Sequence, residues 1–367
     1  MKHLRAGLAV GTALTAMIAL SSCASNEPPA GNGGGASGGA SSAAAVSGTL
    51  NGVGSSAQSN AQTAWTKGFQ ATNSGVTINY DPQGSGAGRE AFSGGGADFA
   101  GSDSALKDEE LSGSFSLCNG KGIDIPVYVS PIALVYNLQG VDTLNLDAPT
   151  LAGIFSGKIT KWNASQITKL NPDAKLPSTT ITPVYRSDSS GTTTNFTDYM
   201  HSAAPSDWTK EPGDAFPYKT GEGAAKGSGI VAAVTAGKGS IGYVDNSSAG
   251  SLSTAGIKVG SDYVKPSADV ASAAAEAAEV DSSREANDTV VTIDRKPTDK
   301  TQYPVTLVSY LIACQQYKDS AKGATVAAYA KYITSDEGQK AAADSAKSAP
   351  MTGELASKAQ AAAASVK

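Results

Sequence analysis

Four short loops rich in glycine and hydroxyl side chains each follow a strand-like run: Gly52–Ser56, Gly84–Gly88, Gly101–Ser104 and Arg186–Thr193. Most of them also lead into a helix-like run. A chain that repeats strand, loop and helix in this way belongs to the α/β class. Strands are expected over Gly48–Val53, Val76–Tyr80, Ala97–Ala100, Thr180–Tyr185, Ser240–Val244 and Thr306–Ile312. Helices are expected over Ala57–Asn73, Asp147–Lys158, Ala164–Asn171, Gly229–Ala236, Thr325–Ser345 and Gly353–Ser365, with another beginning near Thr194. The alanine-rich run Ser267–Glu279 reads as a helix with Ser267 at its N-cap. The long apolar stretch Ile125–Tyr136 is interrupted by Pro131, and a crossing between domains is expected there.

The Arg186 loop carries the most chemistry. Ser190, Gly191, Thr192 and Thr193 would present hydroxyls and backbone N–H groups at the positive end of a helix. Arg186 adds a planar fork of donors suited to a tetrahedral oxyanion, and Asp188 stands two residues away to orient it. In the first loop Ser55 or Ser56 would serve either as a helix N-cap or as a ligand donor. In the second, glycines let the backbone close in on a ligand beside the hydroxyl of Ser85. Asp103, in the third, is at first sight misplaced near an anion, because like charges repel. It would instead be a turn residue capping Asp108–Leu111, or an acceptor-only carboxylate that favours an anion still bearing a proton. Sites that pair a ligand hydroxyl reject analogues lacking it by roughly 10⁴–10⁵.

The N-terminus sets the compartment. Residues 1–22 join a positive start, Lys2 and Arg5, to an apolar run ending in small residues before Cys23, the pattern of a bacterial lipoprotein signal. Cys23 would carry lipid and hold the chain in the membrane. Residues 23–45, rich in Gly, Ala, Ser and Pro, read as a flexible tether. Loss of the signal removes Lys2 and Arg5 and takes the formal net charge from −5 to −7, and no basic cluster argues for nucleic acid. In an oxidising compartment Cys118 and Cys314 are expected to form a disulfide, two separate buried thiols being the alternative. The run Gly86-Ala-Gly88-Arg-Glu-Ala91 fits a dinucleotide fingerprint, but a lone match in an exported chain carries little.

The marks Gly84-Ser85, Asp98–Asp103, Leu151–Trp162 followed by Leu170–Pro172, Arg186–Thr192, Gly229–Ala233 and Gly239–Tyr243, in this order, resemble the phosphate-binding proteins of bacterial phosphate-specific ABC transporters. The resemblance implies a two-lobe periplasmic-binding-protein fold of type II, its lobes joined by two crossover strands. Residues 46–130 with 310–367 would form lobe I, and 131–309 lobe II. It places Ser55, Ser56, Ala57, Ser85 and Asp103 on lobe I, and Arg186, Ser190, Gly191 and Thr192 on lobe II, with Asp188 holding Arg186. Ser56 and Ala57 stand where the family usually has a threonine and an aromatic residue. The implied ligand is inorganic phosphate, the implied partners are ABC permease subunits, and the implied state is a lipid-anchored monomer facing outward, without cofactor, metal or catalysis. Three rival readings remain at this point: a sulfate or molybdate binder, which Asp103 disfavours; a phosphate-ester hydrolase, for which His201 would be the only histidine left; and a structural lipoprotein.

Overall fold

The computed structural model describes residues 46–367. The signal segment, Cys23 and the tether lie outside the described residues. The described part clusters as one compact unit.

Its centre is a nine-stranded sheet. The strands are β1 (Gly48–Gly54), β2 (Val76–Asp81), β3 (Phe99–Ser102), β4 (Gly122–Tyr136), β5 (Thr182–Arg186), β6 (Glu222–Ala224), β7 (Ser240–Asp245), β8 (Ser253–Thr254) and β9 (Thr306–Cys314). They lie in the order β2-β1-β3-β9-β4-β7-β5-β6, with β8 beside β4. β1, β2 and β3 are mutually parallel, as are β5, β6 and β7, while β9 and β4 run antiparallel to their neighbours.

β4 joins the two parallel groups. Every one of its residues is buried, as a near-continuous apolar run covered on both faces should be. Pro131 does not interrupt it. The strand pairs with β9 up to Pro131 and with β7 from Ile132 onward, so the residue without an N–H falls where the partner changes. Pro126 lies opposite Tyr310, beside a register shift between Ser309 and Tyr310.

The main helices are α1 (Ser59–Thr72), α2 (Ser85–Gly94), α3 (Gly191–Ala203), α4 (Lys226–Ala236), α5 (Ser320–Thr334), α6 (Asp336–Ala346) and α7 (Gly353–Ser365). α1 buries Trp65 and Phe69, with Trp65 edge-on to Tyr128 of β4 at 6.5 Å. Phe196 of α3 stacks on Tyr243 of β7 at 4.2 Å, and Phe155 meets both rings. This aromatic cluster fixes where α3 starts relative to the sheet.

Several boundaries differ from the sequence expectation. The third strand is Phe99–Ser102, two residues later than expected. The single helix expected over Thr325–Ser345 is two, because Ser335 leaves helical geometry and its hydroxyl accepts from Gly338 N. The alanine-rich helix is Ala268–Glu276. Ser267 holds its N-cap position without a side-chain bond, and the chain beyond turns into a hairpin, Glu279–Val280 with Val291–Thr292. That hairpin's loop reaches back to the start of β4, where Arg284 meets Asp124 at 2.5 Å. Cys118 and Cys314 form a disulfide.

Candidate anion-binding site

β1, β2, β3 and β5 all end at one place. Their carboxyl ends lead into the loops bearing Ser55, Ser85, Asp103 and Arg186, and such strand ends are where open α/β sheets take ligands. α2 and α3 start there too, so two positive helix ends converge. α3 begins at Gly191, three residues earlier than expected. Ser190 is its N-cap and accepts from Thr193 N at 3.3 Å. The N–H groups of Gly191 and Thr192 precede the first intrahelical bond, Thr194 N to Ser190 O.

Asp103 lies at the focus, with its residue 3% exposed. Its Oδ1 accepts from Ser55 Oγ at 2.5 Å and Ser309 Oγ at 2.7 Å, and its Oδ2 from Thr192 Oγ1 at 2.8 Å. Asp103 N donates to Ser85 Oγ at 3.1 Å. A carboxylate has about four acceptor positions, so these three hydroxyls leave one on Oδ2 for an incoming O–H. Asp103 caps nothing: Lys107 occupies the N-cap position of the short helix Asp108–Leu111.

Arg186, also buried, directs Nε at Asp188 Oδ1, 2.7 Å away, and Nη2 at Asp188 Oδ2. Burial pushes the Asp188 carboxyl up, but hydrogen bonds and charge from Arg186, with Lys226 N, hold it below the usual carboxylate range. The fork is therefore fixed, and its remaining N–H groups stay available. Gly84 faces this pair: a Cβ there would lie 2.8 Å from Asp188 Oδ2.

The two groups of loops touch. A Cβ on Gly191 would lie 2.9 Å from Ser85 Oγ and 2.8 Å from Ser104 N. Gly86 N donates to Ser189 O, and Asn195 Nδ2 to Asp103 O at 2.6 Å. Beside this seam Arg89 of α2 reaches across to Asp214 at 2.5 Å while also holding Glu110, Ser102 and Ser104. Burial raises the Asp214 carboxyl, yet the charge of Arg89 and the hydroxyl of Thr194 leave it below its ordinary value.

The structure thus brings together Ser55, Ser85, Asp103, Arg186, Asp188, Ser190, Gly191 and Thr192. Ser56 and Ala57 turn to other partners: Ser56 Oγ accepts from Gly227 N at 3.3 Å, and Ala57 N donates to Ser55 Oγ at 3.0 Å. Neither Ser55 nor Ser56 caps α1, whose N-cap position is Gln58. The glycines of the dinucleotide-like run serve packing, since a Cβ on Gly88 would lie 2.6 Å from Gly54 Cα. His201 sits in the last turn of α3 with Nδ1 near Lys210 O. Among the described residues no group of three His, Cys, Asp or Glu side chains could hold a metal ion. Sequence reasoning missed Arg89, Asp214, Asn195, Gln58 and Ser309. Of these, only Ser309 left a trace, as a hydroxyl inside an apolar strand.

Residues 39–337 match the family described as PBP superfamily domain. Phosphate-binding protein PstS 3 of Mycobacterium tuberculosis (strain ATCC 25618 / H37Rv) is 38% identical over 337 residues, covering 90% of each chain. Phosphate-binding protein PstS 2 of the same strain is 34% identical over 339 residues, again 90% of each. Among solved structures, the periplasmic phosphate-binding protein PfluDING bound with phosphate superposes with a TM-score of 0.71 at 24% identity, covering 84% of this chain and 92% of that one. A phosphate-binding protein from Stenotrophomonas maltophilia gives 0.67 at 23% identity, covering 86% and 94%. The structural likenesses carry the fold; the mycobacterial relatives carry the family. The chain belongs to the PBP superfamily and, within it, to the family of the PstS phosphate-binding proteins.

Proposed function

We propose that the chain binds inorganic phosphate, without catalysis, where Ser55, Ser85 and Asp103 face Arg186, Ser190, Gly191 and Thr192, and delivers it to ABC permease subunits. The observation that carries this reading is the buried carboxylate of Asp103, bonded to Ser55, Ser309 and Thr192 where two helices begin, with one acceptor position left over. Hydrogen phosphate brings a proton for that position; sulfate brings none. Each hydrogen bond to a charged group contributes roughly 1.5–3 kcal/mol, so a handful of fixed donors supports micromolar affinity or better. Ser56 and Ala57 belong to the same loop and would join the site if Ser56 left Gly227 and Ala57 N left Ser55 Oγ.

In this reading the chain has two lobes, 46–130 with 310–367 and 131–309, and the segment around residues 268–293 lies on the surface of the first. Donors come from both lobes, so ligand favours the closed form, and the permease would recognise that form. The protein would act as a monomer outside the cytoplasmic membrane, held there by lipid on Cys23. The disulfide suits such an oxidising compartment. The names of the mycobacterial relatives support the ligand.

Calorimetry on the chain from Cys23 onward, carrying Cys23→Ser to omit the lipid, tests the proposal. Phosphate should bind with micromolar or tighter affinity, and sulfate and molybdate at least about a thousandfold more weakly. Equal binding of phosphate and sulfate would remove the role given to Asp103.

A further inference from the structure

Asp103 Oδ1 receives a second donor that lies outside the four loops. Ser309 is in the middle of β9, completely buried, and its hydroxyl lies 2.7 Å from Asp103 Oδ1. The register between β9 and β4 shifts between Ser309 and Tyr310. Irregularities of this kind are used beside functional sites to re-aim a side chain. The environment of the hydroxyl fixes its direction. Gln58 Nε2 donates to Ser309 Oγ at 2.6 Å, and to Tyr310 O at 3.0 Å. Gln58 Oε1 in turn accepts from Gln62 Nε2 at 2.9 Å, and Gln62 Oε1 accepts from Tyr329 OH at 2.9 Å. All four residues are buried.

The chain of bonds runs one way. Gln62 accepts through its oxygen and donates through its nitrogen, and so does Gln58, which places an N–H against Ser309 Oγ. A serine hydroxyl has a single proton. With Gln58 donating to its oxygen, that proton must go outward, to Asp103 Oδ1 or to Ser102 O at 3.1 Å, and the carboxylate is the closer and stronger acceptor. Aligned bonds of this kind also polarise one another.

We infer that Ser309, oriented by Gln58 and Gln62, is a positioning residue for anion selectivity: it keeps Asp103 an acceptor with its free position turned toward the ligand. The inference rests on the reading of Asp103 as the group that receives the ligand's proton. Ser309 itself does not touch the anion. With it gone, Asp103 Oδ1 has only Ser55 and Oδ2 only Thr192, so the carboxyl can tilt and its free position no longer points at the ligand. A carboxylate whose free position is turned away no longer receives the proton of hydrogen phosphate and loses its preference over sulfate.

The test is calorimetry with phosphate, arsenate and sulfate on four proteins at pH 8: the parent chain, Ser309→Ala, Ser309→Thr and Asp103→Asn. Ser309→Ala should weaken phosphate about tenfold to a hundredfold. Arsenate, which bears the same proton, should fall with it, while sulfate stays level or binds more tightly. Ser309→Thr, which restores the hydroxyl, should keep the parent's preference. An alanine variant that weakens all three anions in equal proportion, or none of them, overturns the inference. If Ser309→Ala does not fold by thermal unfolding, Ser309→Cys, with its weaker donor, should lie between parent and Asp103→Asn in the phosphate-to-sulfate ratio; a ratio equal to the parent's again overturns it. Asp103→Asn separates the two levels. If it leaves the ratio unchanged, the reading of Asp103 fails and the role of Ser309 fails with it. If it collapses the ratio while Ser309→Ala does not, only the inference falls.

Discussion

Arg186 is both anchored and available. Two of its N–H groups go to Asp188, whose other bond comes from Lys226 N. Lys226 adopts a φ of 62°, in the left-handed region, and the turn so formed brings its N–H onto the carboxylate. Arg186→Ala removes the site's cation and leaves the half-buried Asp188 with Lys226 N as its remaining partner. We expect a loss of about 2–5 kcal/mol in phosphate affinity, measured by titration calorimetry. Arg186→Lys should recover only part of it, because an ammonium cannot hold Asp188 with two bonds and face the ligand with the rest. Near-parent binding by the alanine variant would place the anion elsewhere.

α2 and α3 approach each other because glycine stands at the contact. At Gly191 any Cβ falls closer than 3.0 Å to Ser85, Asp103 and Ser104. Gly191→Ala should therefore hold the two helix ends apart and weaken phosphate by about tenfold or more, as expected for donors moved out of reach. Small-angle scattering with saturating phosphate should report a wider particle than the parent, and identical curves would refute the argument. The sequence made the strand–loop–helix pattern and the donors on it readable, because hydroxyls, glycines and Arg186 cluster within short segments. It did not make the approach readable. Arg89 and Asp214 are 125 residues apart, and nothing local to either marks the other. Gln58 looks like an ordinary helix-start residue until β9 lies beside it. Pro131 was misleading for a related reason: its cost to a strand depends on whether a partner needs its N–H, and here the partner changes at that point.

The body as a whole carries buried and half-buried carboxylates of opposite tendency. Burial drives Asp124 up to about 7, aided by Asp288 and opposed by Arg284. Asp245, bonded to Tyr128 and Ser247, is driven up to about 6, first by burial and then by Asp103. A carboxyl raised in the folded state binds its proton more tightly there than in the unfolded chain, where it titrates near 3.8. Its contribution is present at low pH and is lost as pH climbs through the folded value. Asp188 and Asp214, lowered, behave the other way and weaken the fold as pH drops below the ordinary carboxylate range. Thermal unfolding should thus show greatest stability near pH 4, falling until about pH 7. Asp245→Asn should make the fall between about pH 4 and 6 shallower, with the part due to Asp124 remaining, and leave the acid side unchanged; an unaltered profile would mean Asp245 does not titrate there.

The disulfide has a topological result. Cys118 and Cys314 close a ring of chain across a separation of 196 residues, and Arg186, Asp188, Ser190 and Thr192 all lie within that ring, while Ser55 and Ser85 lie outside it. A single cut by an external protease anywhere between the two cysteines would leave both fragments covalently joined, with the loops of Ser55 and Ser85 still fastened to those of Arg186 and Thr192.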